Sequence, residues 1–162
     1  MGLKLAHALG AHVVAFTSSA AKAAEARRLG ADEVVVTSEK GSEAQHRDSF
    51  DLILNTVSAA QNLDYYTSLL GRDGALVLLG AGIEPHTGPN PMGLLSRRRS
   101  VAGSAIGGIA ETQEMLDFCA EHGITSDIER IAVSEVDAAY KRILVSDVQY
   151  RFAIDMKTLP QD

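Results

Sequence analysis

Cysteine is almost absent from the sequence, since Cys119 is the one cysteine among 162 residues. A disulfide framework needs paired cysteines and a structural zinc site needs several, so both are excluded. Cys119 lies beside Phe118 within a predicted helix, where we expect a buried, unreactive thiol. The histidines share no metal-ligand spacing and are each expected at the surface: His7, His12, His46, His86 and His122. No metal ligands and no catalytic residues are therefore predicted in this chain.

Long apolar runs and an excess of positive charge are also missing. No run approaches the ~18 residues of a membrane-spanning helix, and no secretory signal pattern opens the chain. The formal net charge is −6, whereas nucleic-acid binding requires a basic face. We therefore expect a globular cytoplasmic protein that binds neither nucleic acid nor membrane.

Apolar β-branched runs alternate with segments of helical periodicity along the whole chain. Strands are predicted over 13–16, 33–37, 50–57, 75–81, 100–104, 128–133 and 150–154. Helices are predicted over 2–9, 20–29, 61–70, 92–98, 110–122 and 135–145, with a loose helix over 39–48. This alternation predicts an α/β fold with a doubly wound, Rossmann-type parallel sheet. Because the chain opens in a helix, we expect the sheet to lack its first strand and its glycine-rich turn.

Hydroxyl side chains follow the strand predicted over 13–16, where a dinucleotide fold meets the adenosine ribose. An acidic residue there would select NAD by accepting from the ribose 2′-hydroxyl. Here the positions hold Thr17, Ser18 and Ser19, with Lys22 a turn later. Hydroxyl donors and a cation suit the 2′-phosphate of NADP(H). The alternative is a plain helix N-cap at Ser19 with a solvated Lys22.

Three other polar features each allow two interpretations. Asn55 and Thr56 end a predicted strand and either bind a ligand or cap the next helix. Arg151 lies in the last predicted strand and either meets a pyrophosphate or forms a surface ion pair. The run 97–99 is three arginines at a helix C-terminus, explained equally by the helix dipole and solvent or by an anion site.

One long stretch carries a family resemblance, Gly103-Ser-Ala-Ile-Gly-Gly-Ile-Ala-Glu-Thr-Gln-Glu-Met-Leu-Asp-Phe-Cys-Ala-Glu-His122. It resembles the cinnamyl-alcohol-dehydrogenase branch of the zinc-dependent medium-chain dehydrogenases. The opening helix, Asn55-Thr-Val57 and Tyr150-Arg-Phe152 resemble the same branch. The resemblance implies a cofactor domain over 1–130 and a return segment over 131–162 that belongs to the family's catalytic domain. It also implies that zinc is bound only in an N-terminal part outside this chain.

The resemblance implies NADP(H) as the cofactor and strengthens the 2′-phosphate interpretation of Ser18, Ser19 and Lys22. The other implied contacts are with the riboses, the nicotinamide and, through the last residue, the pyrophosphate: Asn55, Thr56, Val57, Gly80, Ala81, Ser104, Ala105, Ile106 and Arg151. Two copies of the family's chain pair along the edge strand near Ser100–Ser104, which predicts a homodimer.

The leading functional hypothesis is the NADP(H)-binding portion of a zinc-type alcohol dehydrogenase or aldehyde reductase, inactive by itself. Whether the chain is an enzyme is left open, because the family's catalytic residues match no position in it. The alternative is a non-catalytic nucleotide-binding module produced by truncation or by a mis-started gene. A methyltransferase-like domain is disfavoured, because it would require an acidic residue where Thr17 stands.

Overall fold

The computed structural model describes residues 1–80, 82, 84–145 and 147–160, in which strands and helices alternate. The strands are β1 (Val14–Thr17), β2 (Glu33–Val36), β3 (Phe50–Asn55), β4 (Leu70–Leu78), β5 (Ser100–Gly103), β6 (Glu129–Ala132) and β7 (Phe152–Asp155). The α-helices are α1 (Gly2–Ala8), α2 (Ala23–Arg28), α3 (Leu63–Leu69), α4 (Pro91–Leu95), α5 (Ile109–Glu121) and α6 (Val136–Leu144). Short 3₁₀ helices cover Ala20–Lys22, Ala44–His46, Val133–Glu135 and Met156–Thr158.

All strand pairs run parallel, as the alternating sequence pattern predicts. Strand β1 pairs with β2, strands β3, β4 and β5 form a second sheet in that order, and β6 pairs with β7. Registers such as Phe16↔Val35 and Val77↔Ala102 align the carboxyl ends of neighbouring strands. The predicted α/β parallel architecture is confirmed.

Two predicted elements differ from the structure. The predicted helix over 39–48 is wrong except for one 3₁₀ turn at Ala44–His46, because this polar segment has too little apolar surface to hold a longer helix. Strand β4 begins at Leu70 rather than at residue 75, and its register to β3 shifts between Phe50 and Leu52. The Gly71–Gly74 turn is therefore an irregularity inside a strand, where Asp73 has a φ of 64°.

Two small apolar clusters hold the sheets to their helices. Val13, Ala15 and Ala31 are buried beneath α1 and α2; α1 contributes Leu3 and Ala6, and α2 contributes Ala26. Leu63, Leu70 and Leu76 form the second cluster between α3 and β4, where Leu70 and Leu76 are fully buried.

Strands β1 and β3 are separated by a gap. Within the described residues β1 and β3 belong to different sheets and share no ladder. Three rings bridge the gap: Phe50 lies 5.9 Å from Phe16 and 5.3 Å from His46, centroid to centroid. His46 is only 8% exposed, so its predicted surface position is wrong. The ring stacks on Phe50 and also lies beside Phe16 of β1, a residue that is distant in the sequence.

The arginine run after α4 forms ion pairs with residues distant in sequence. The guanidinium of Arg99 donates to Asp48 and, at 2.5 Å, to the carbonyl of Leu70. Arg97 also pairs with Asp48 at 2.9 Å, and Arg98 pairs with Asp73 at 2.6 Å. In place of both sequence interpretations, solvent with helix dipole and anion site, two carboxylates pair with the three arginines.

The segment before β7 is tied to α2 by a polar network. The Tyr150 hydroxyl donates to Glu25 at 2.5 Å, and Glu25 accepts from Arg28 through both carboxylate oxygens. Arg28 and Lys4 both pair with Asp127, at 2.6 and 2.9 Å. The carboxyl-terminal part of the chain is therefore anchored to the first two helices.

Candidate cofactor site

The turn after β1 places its hydroxyl groups at the carboxyl edge of the sheet. The Thr17 hydroxyl accepts from the Ser19 amide at 3.2 Å, which closes the turn. Ser19 occupies the N-cap position of the Ala20–Lys22 helix, yet its side chain makes no capping hydrogen bond. The simple capping interpretation of Ser19 is therefore not realised.

Ser18 and Lys22 complete this group at the surface. Both side chains are exposed, while Thr17 and Ser19 are half-buried. The described part of the chain offers Lys22 no carboxylate partner, since Lys22 takes part in none of its ion pairs. The side-chain hydroxyls of Ser18 and Ser19 and the ammonium of Lys22 thus have no partner in the described part of the chain, and groups of these kinds bind phosphate.

The ends of β3 and β4 approach each other closely at Gly80. A Cβ on Gly80 would lie 2.8 Å from the Thr56 carbonyl oxygen and 2.9 Å from Val57, so only glycine fits. Asn55 is 5% exposed, and its side-chain oxygen accepts from the Val57 amide at 3.0 Å. The next helix, α3, is capped by Asn62 instead. Asn55 thus shapes the turn and leaves Thr56 and Val57 exposed at the edge.

A cleft of about 540 Å³ opens where β4 and β5 end. Its lining includes Gly80, Gly103, Ser104 and Ala105, which the sequence analysis assigned in part to the nicotinamide end. Ser104 is held by its amide, which donates to the Leu78 carbonyl at 3.1 Å. Ile106 is 98% exposed. Ala81, another predicted cofactor contact, lies outside the described residues.

Arg151 lies immediately before β7 rather than within a strand, and its side chain is exposed. Its carbonyl accepts from the Glu129 amide at 2.9 Å. No carboxylate of the described residues pairs with its guanidinium, so the surface ion-pair interpretation is not realised there. The neighbouring Tyr150 contacts Glu25 on α2, which brings this segment to the helix that follows Lys22.

Two residues of the site were missed by the sequence analysis. Gln61 binds Asn55 at 2.8 Å and Tyr66 at 2.7 Å through its side chain. Its backbone amide donates to Nδ1 of His86 at 3.1 Å, and His86 lines the cleft. The local signal for both is a polar residue in a loop at the carboxyl edge of the sheet, which is too common to single them out.

The described residues contain neither a metal-binding cluster nor a membrane-spanning helix. Within the described residues no group of three or more histidine, cysteine, aspartate and glutamate side chains is placed to hold a metal ion. The helices of that same part of the chain include none with the length and hydropathy needed to cross a membrane. Cys119 is buried as predicted, with its sulfur 3.6 Å from that of Met115.

Comparison with known protein families identifies the family of this chain. The family described as zinc-binding dehydrogenase matches residues 1–121. The chain belongs to this family. The match spans β1 to β5 and the whole carboxyl edge described above, so the resemblance inferred from the sequence is confirmed.

Several known proteins are similar to this chain in sequence or in fold. Aldehyde reductase YahK of Escherichia coli (strain K12) is 58% identical over 159 residues, which are 98% of this chain and 46% of that protein. Cinnamyl alcohol dehydrogenase SbCAD4 of Sorghum bicolor superposes with a TM-score of 0.92 at 36% identity, over 100% of this chain and 46% of that chain. A CAD from Helicobacter pylori, complexed with NADP(H), superposes with a TM-score of 0.82 at 32% identity, covering 97% and 44%. The chain thus spans about half the length of the relatives it matches.

Proposed function

We propose that this chain is the NADP(H)-binding portion of an alcohol dehydrogenase or aldehyde reductase. The observation that carries the proposal is the group of Ser18, Ser19 and Lys22 at the end of β1, whose side-chain polar atoms have no hydrogen-bond partner in the described parts of the fold. A 2′-phosphate carries negative charge and several acceptor oxygens, which this group of donors complements.

The remaining predicted contacts follow the same carboxyl edge toward the cleft. Thr56 and Val57 form a surface at the end of β3, and Gly80 lets the end of β4 lie directly against them. Ser104, Ala105 and Ile106 border the far side and would meet the nicotinamide, while Arg151 would face the pyrophosphate. The bound dinucleotide would supply the hydride, and this chain's residues would hold and orient it.

Zinc does not fit the described residues, because they form no ligand cluster. We assign the metal and the chemistry at the carbonyl to another part of a longer protein, as the resemblance implies. Residues 131–162 are proposed to belong with that part. In support of this, β6 and β7 form a sheet of their own.

We also propose that two copies associate through β5. This strand lies at the outer edge of its sheet and consists of small, uncharged residues together with Val101. Edge strands without charge, proline or a covering element favour pairing with another strand. A two-fold axis beside this edge would join the two sheets.

Titration of NADPH and NADH against the Lys22→Ala variant tests the cofactor assignment. Losing a charge-assisted contact costs about 1.5–3 kcal/mol, so NADPH affinity should fall roughly tenfold or more. NADH affinity should stay nearly constant, because NADH has a hydroxyl where NADPH has the phosphate. The control is Lys141→Ala, which removes an exposed lysine from α6. An equal loss for both cofactors in Lys22→Ala would refute the assignment.

A further inference from the structure

The ring of His86 is anchored from one side only. Its Nδ1 accepts the backbone amide of Gln61 at 3.1 Å. A backbone N–H can only donate, so Nδ1 carries no proton in this arrangement. The neutral ring must then carry its proton on Nε2, which makes that atom a hydrogen-bond donor.

The backbone next to His86 is fixed by hydrogen bonds of its own. The Thr87 amide donates to the Gln61 carbonyl at 3.0 Å, and the Leu63 amide donates to the Thr87 carbonyl at 2.8 Å. A parallel bridge joins Asn62 to Thr87. The loop carrying His86 is therefore fixed to the start of α3 by a short ladder.

The side chain of Gln61 is held in place by two hydrogen bonds. Its side-chain oxygen accepts from Asn55, which is 5% exposed, and its amide nitrogen donates to the hydroxyl of Tyr66. Burial raises the pKa of Tyr66 above its ordinary value of 10.0, so the phenol stays neutral at physiological pH. These partly buried hydrogen bonds set the position from which Gln61 donates to His86.

The half-buried ring borders the cleft at the ends of β4 and β5, together with Gly80, Ser104 and Ala105. Across the described residues Nε2 has no hydrogen-bond partner. We propose that His86 is a further binding residue of this cleft, whose Nε2–H donates to an oxygen on the nicotinamide half of the dinucleotide. The inference rests on the proposed function, since it takes NADP(H) as the ligand.

Two ligands distinguish a contact between His86 and the nicotinamide half from a purely structural role of His86. NADPH contains the nicotinamide half, whereas adenosine 2′,5′-bisphosphate carries the 2′-phosphate and lacks that half. The test variant is His86→Asn, whose side-chain oxygen can still accept from Gln61 but which has no donor in the place of Nε2. Loss of one neutral hydrogen bond corresponds to about a three- to tenfold weaker affinity.

We expect His86→Asn to weaken NADPH by that factor and to leave adenosine 2′,5′-bisphosphate unchanged, while Lys22→Ala weakens both. His86→Gln, whose amide nitrogen reaches toward the place of Nε2, should recover part of the NADPH affinity. Unchanged NADPH binding in His86→Asn beside a clear Lys22 effect overturns the His86 inference alone. An equal loss of both ligands in His86→Asn also overturns it. Absence of the Lys22 effect, or of any binding by the unaltered chain, overturns the proposed function as well.

Nitrogen NMR of the ¹⁵N-labelled, ligand-free chain tests the tautomer independently of any ligand. The His86 ring, assigned by the loss of its signals in His86→Asn, should show an unprotonated Nδ1 and a protonated Nε2. NADPH addition should shift the Nε2 signal. The opposite tautomer, or an Nε2 signal unmoved at saturating NADPH, would overturn the inference.

Discussion

Asp48 is the residue on which the amino-terminal edge of the three-stranded sheet depends. It precedes β3 and accepts from Arg97 and Arg99, and Arg99 also donates to Leu70 at the start of β4. The Arg99 side chain is 6% exposed, and its Nε is buried without a partner among the described residues. Because one N–H of this buried guanidinium has no hydrogen-bond partner, the ion pair with Asp48 is the main compensation for its buried charge.

Asp48→Asn should therefore destabilise the fold by about 1.5–3 kcal/mol, the value of a hydrogen bond to a charged group. Asparagine keeps the shape and tolerates the left-handed backbone of Asp48, whose φ is 57°. The matched control is Asp73→Asn, because Asp73 has a φ of 64° and pairs with Arg98, whose side chain is 69% exposed. Urea denaturation should show a large change for Asp48→Asn and little for Asp73→Asn. Equal changes would contradict the special role of Asp48.

At the scale of elements, the contact between α2 and the segment before β7 should be pH-dependent. Hydrogen bonds from Arg28 and then Tyr150 lower the pKa of Glu25 from 4.5 to about 2. The unfolded carboxyl then binds more protons than the folded one in this range. Its stabilising contribution is complete above about pH 4.5 and is lost as the pH falls toward 2. Burial, followed by the bond to Glu25, raises the pKa of Tyr150 to about 12, so the tyrosine contribution is lost as the pH rises from 10 toward 12.

We expect the melting temperature of Glu25→Gln to fall less steeply with acid than that of the unaltered chain. Tyr150→Phe should likewise make the fall in melting temperature at alkaline pH less steep. Glu39→Gln and Tyr140→Phe, at exposed positions, serve as controls. Melting curves across both pH ranges that coincide with those of the unaltered chain would disprove the coupling.

The second prediction at this scale concerns the outer edge of β5. The Ser104 amide points to β4, since it donates to the Leu78 carbonyl. Amides two residues apart point to the same side of a parallel strand, so Ala102 also faces β4 while Val101 and Gly103 face outward. Gly103→Pro removes an outward donor and should convert a dimer to a monomer in light scattering. Gly103→Ala keeps the amide, and its added Cβ meets nothing within 4 Å, so that variant should remain dimeric. A dimer in Gly103→Pro would indicate another interface.

At the scale of the whole molecule, the gap between β1 and β3 governs stability. One edge of each strand is without a ladder partner in the described chain, and Leu52 and Leu54 on β3 are 54% and 50% exposed. A strand between them would bury roughly four or five apolar side chains, each worth about 1.5–3 kcal/mol. The sum, roughly 6–15 kcal/mol, is comparable to the stability of an entire domain.

The 162-residue chain should therefore be marginally stable and prone to aggregation. Lengthening it at its amino terminus with a segment that supplies this strand should raise its melting temperature and its affinity for NADPH. Thermal unfolding of both chains, with and without NADPH, measures this. A cooperative melt of the short chain at or above about 45–65 °C, unchanged by lengthening, would show that the sheet tolerates the gap.

The sequence by itself determined the α/β class, the order of most elements and the family. These follow from local information, because strand and helix periodicities, glycine turns and the run over 103–122 are each contained in a short stretch. The three hydroxyl side chains at Thr17–Ser19 were also found in this way, because the end of a strand can be predicted from the sequence.

Only the tertiary structure decided which distant side chains meet. Asp48 binds Arg99 across 51 positions, and Gln61 binds His86 across 25. His46 is buried beside Phe16, a residue of β1 that is distant from it in the sequence. Such contacts depend on how strands and loops are placed in three dimensions, and residue spacing along the chain carries no record of that placement.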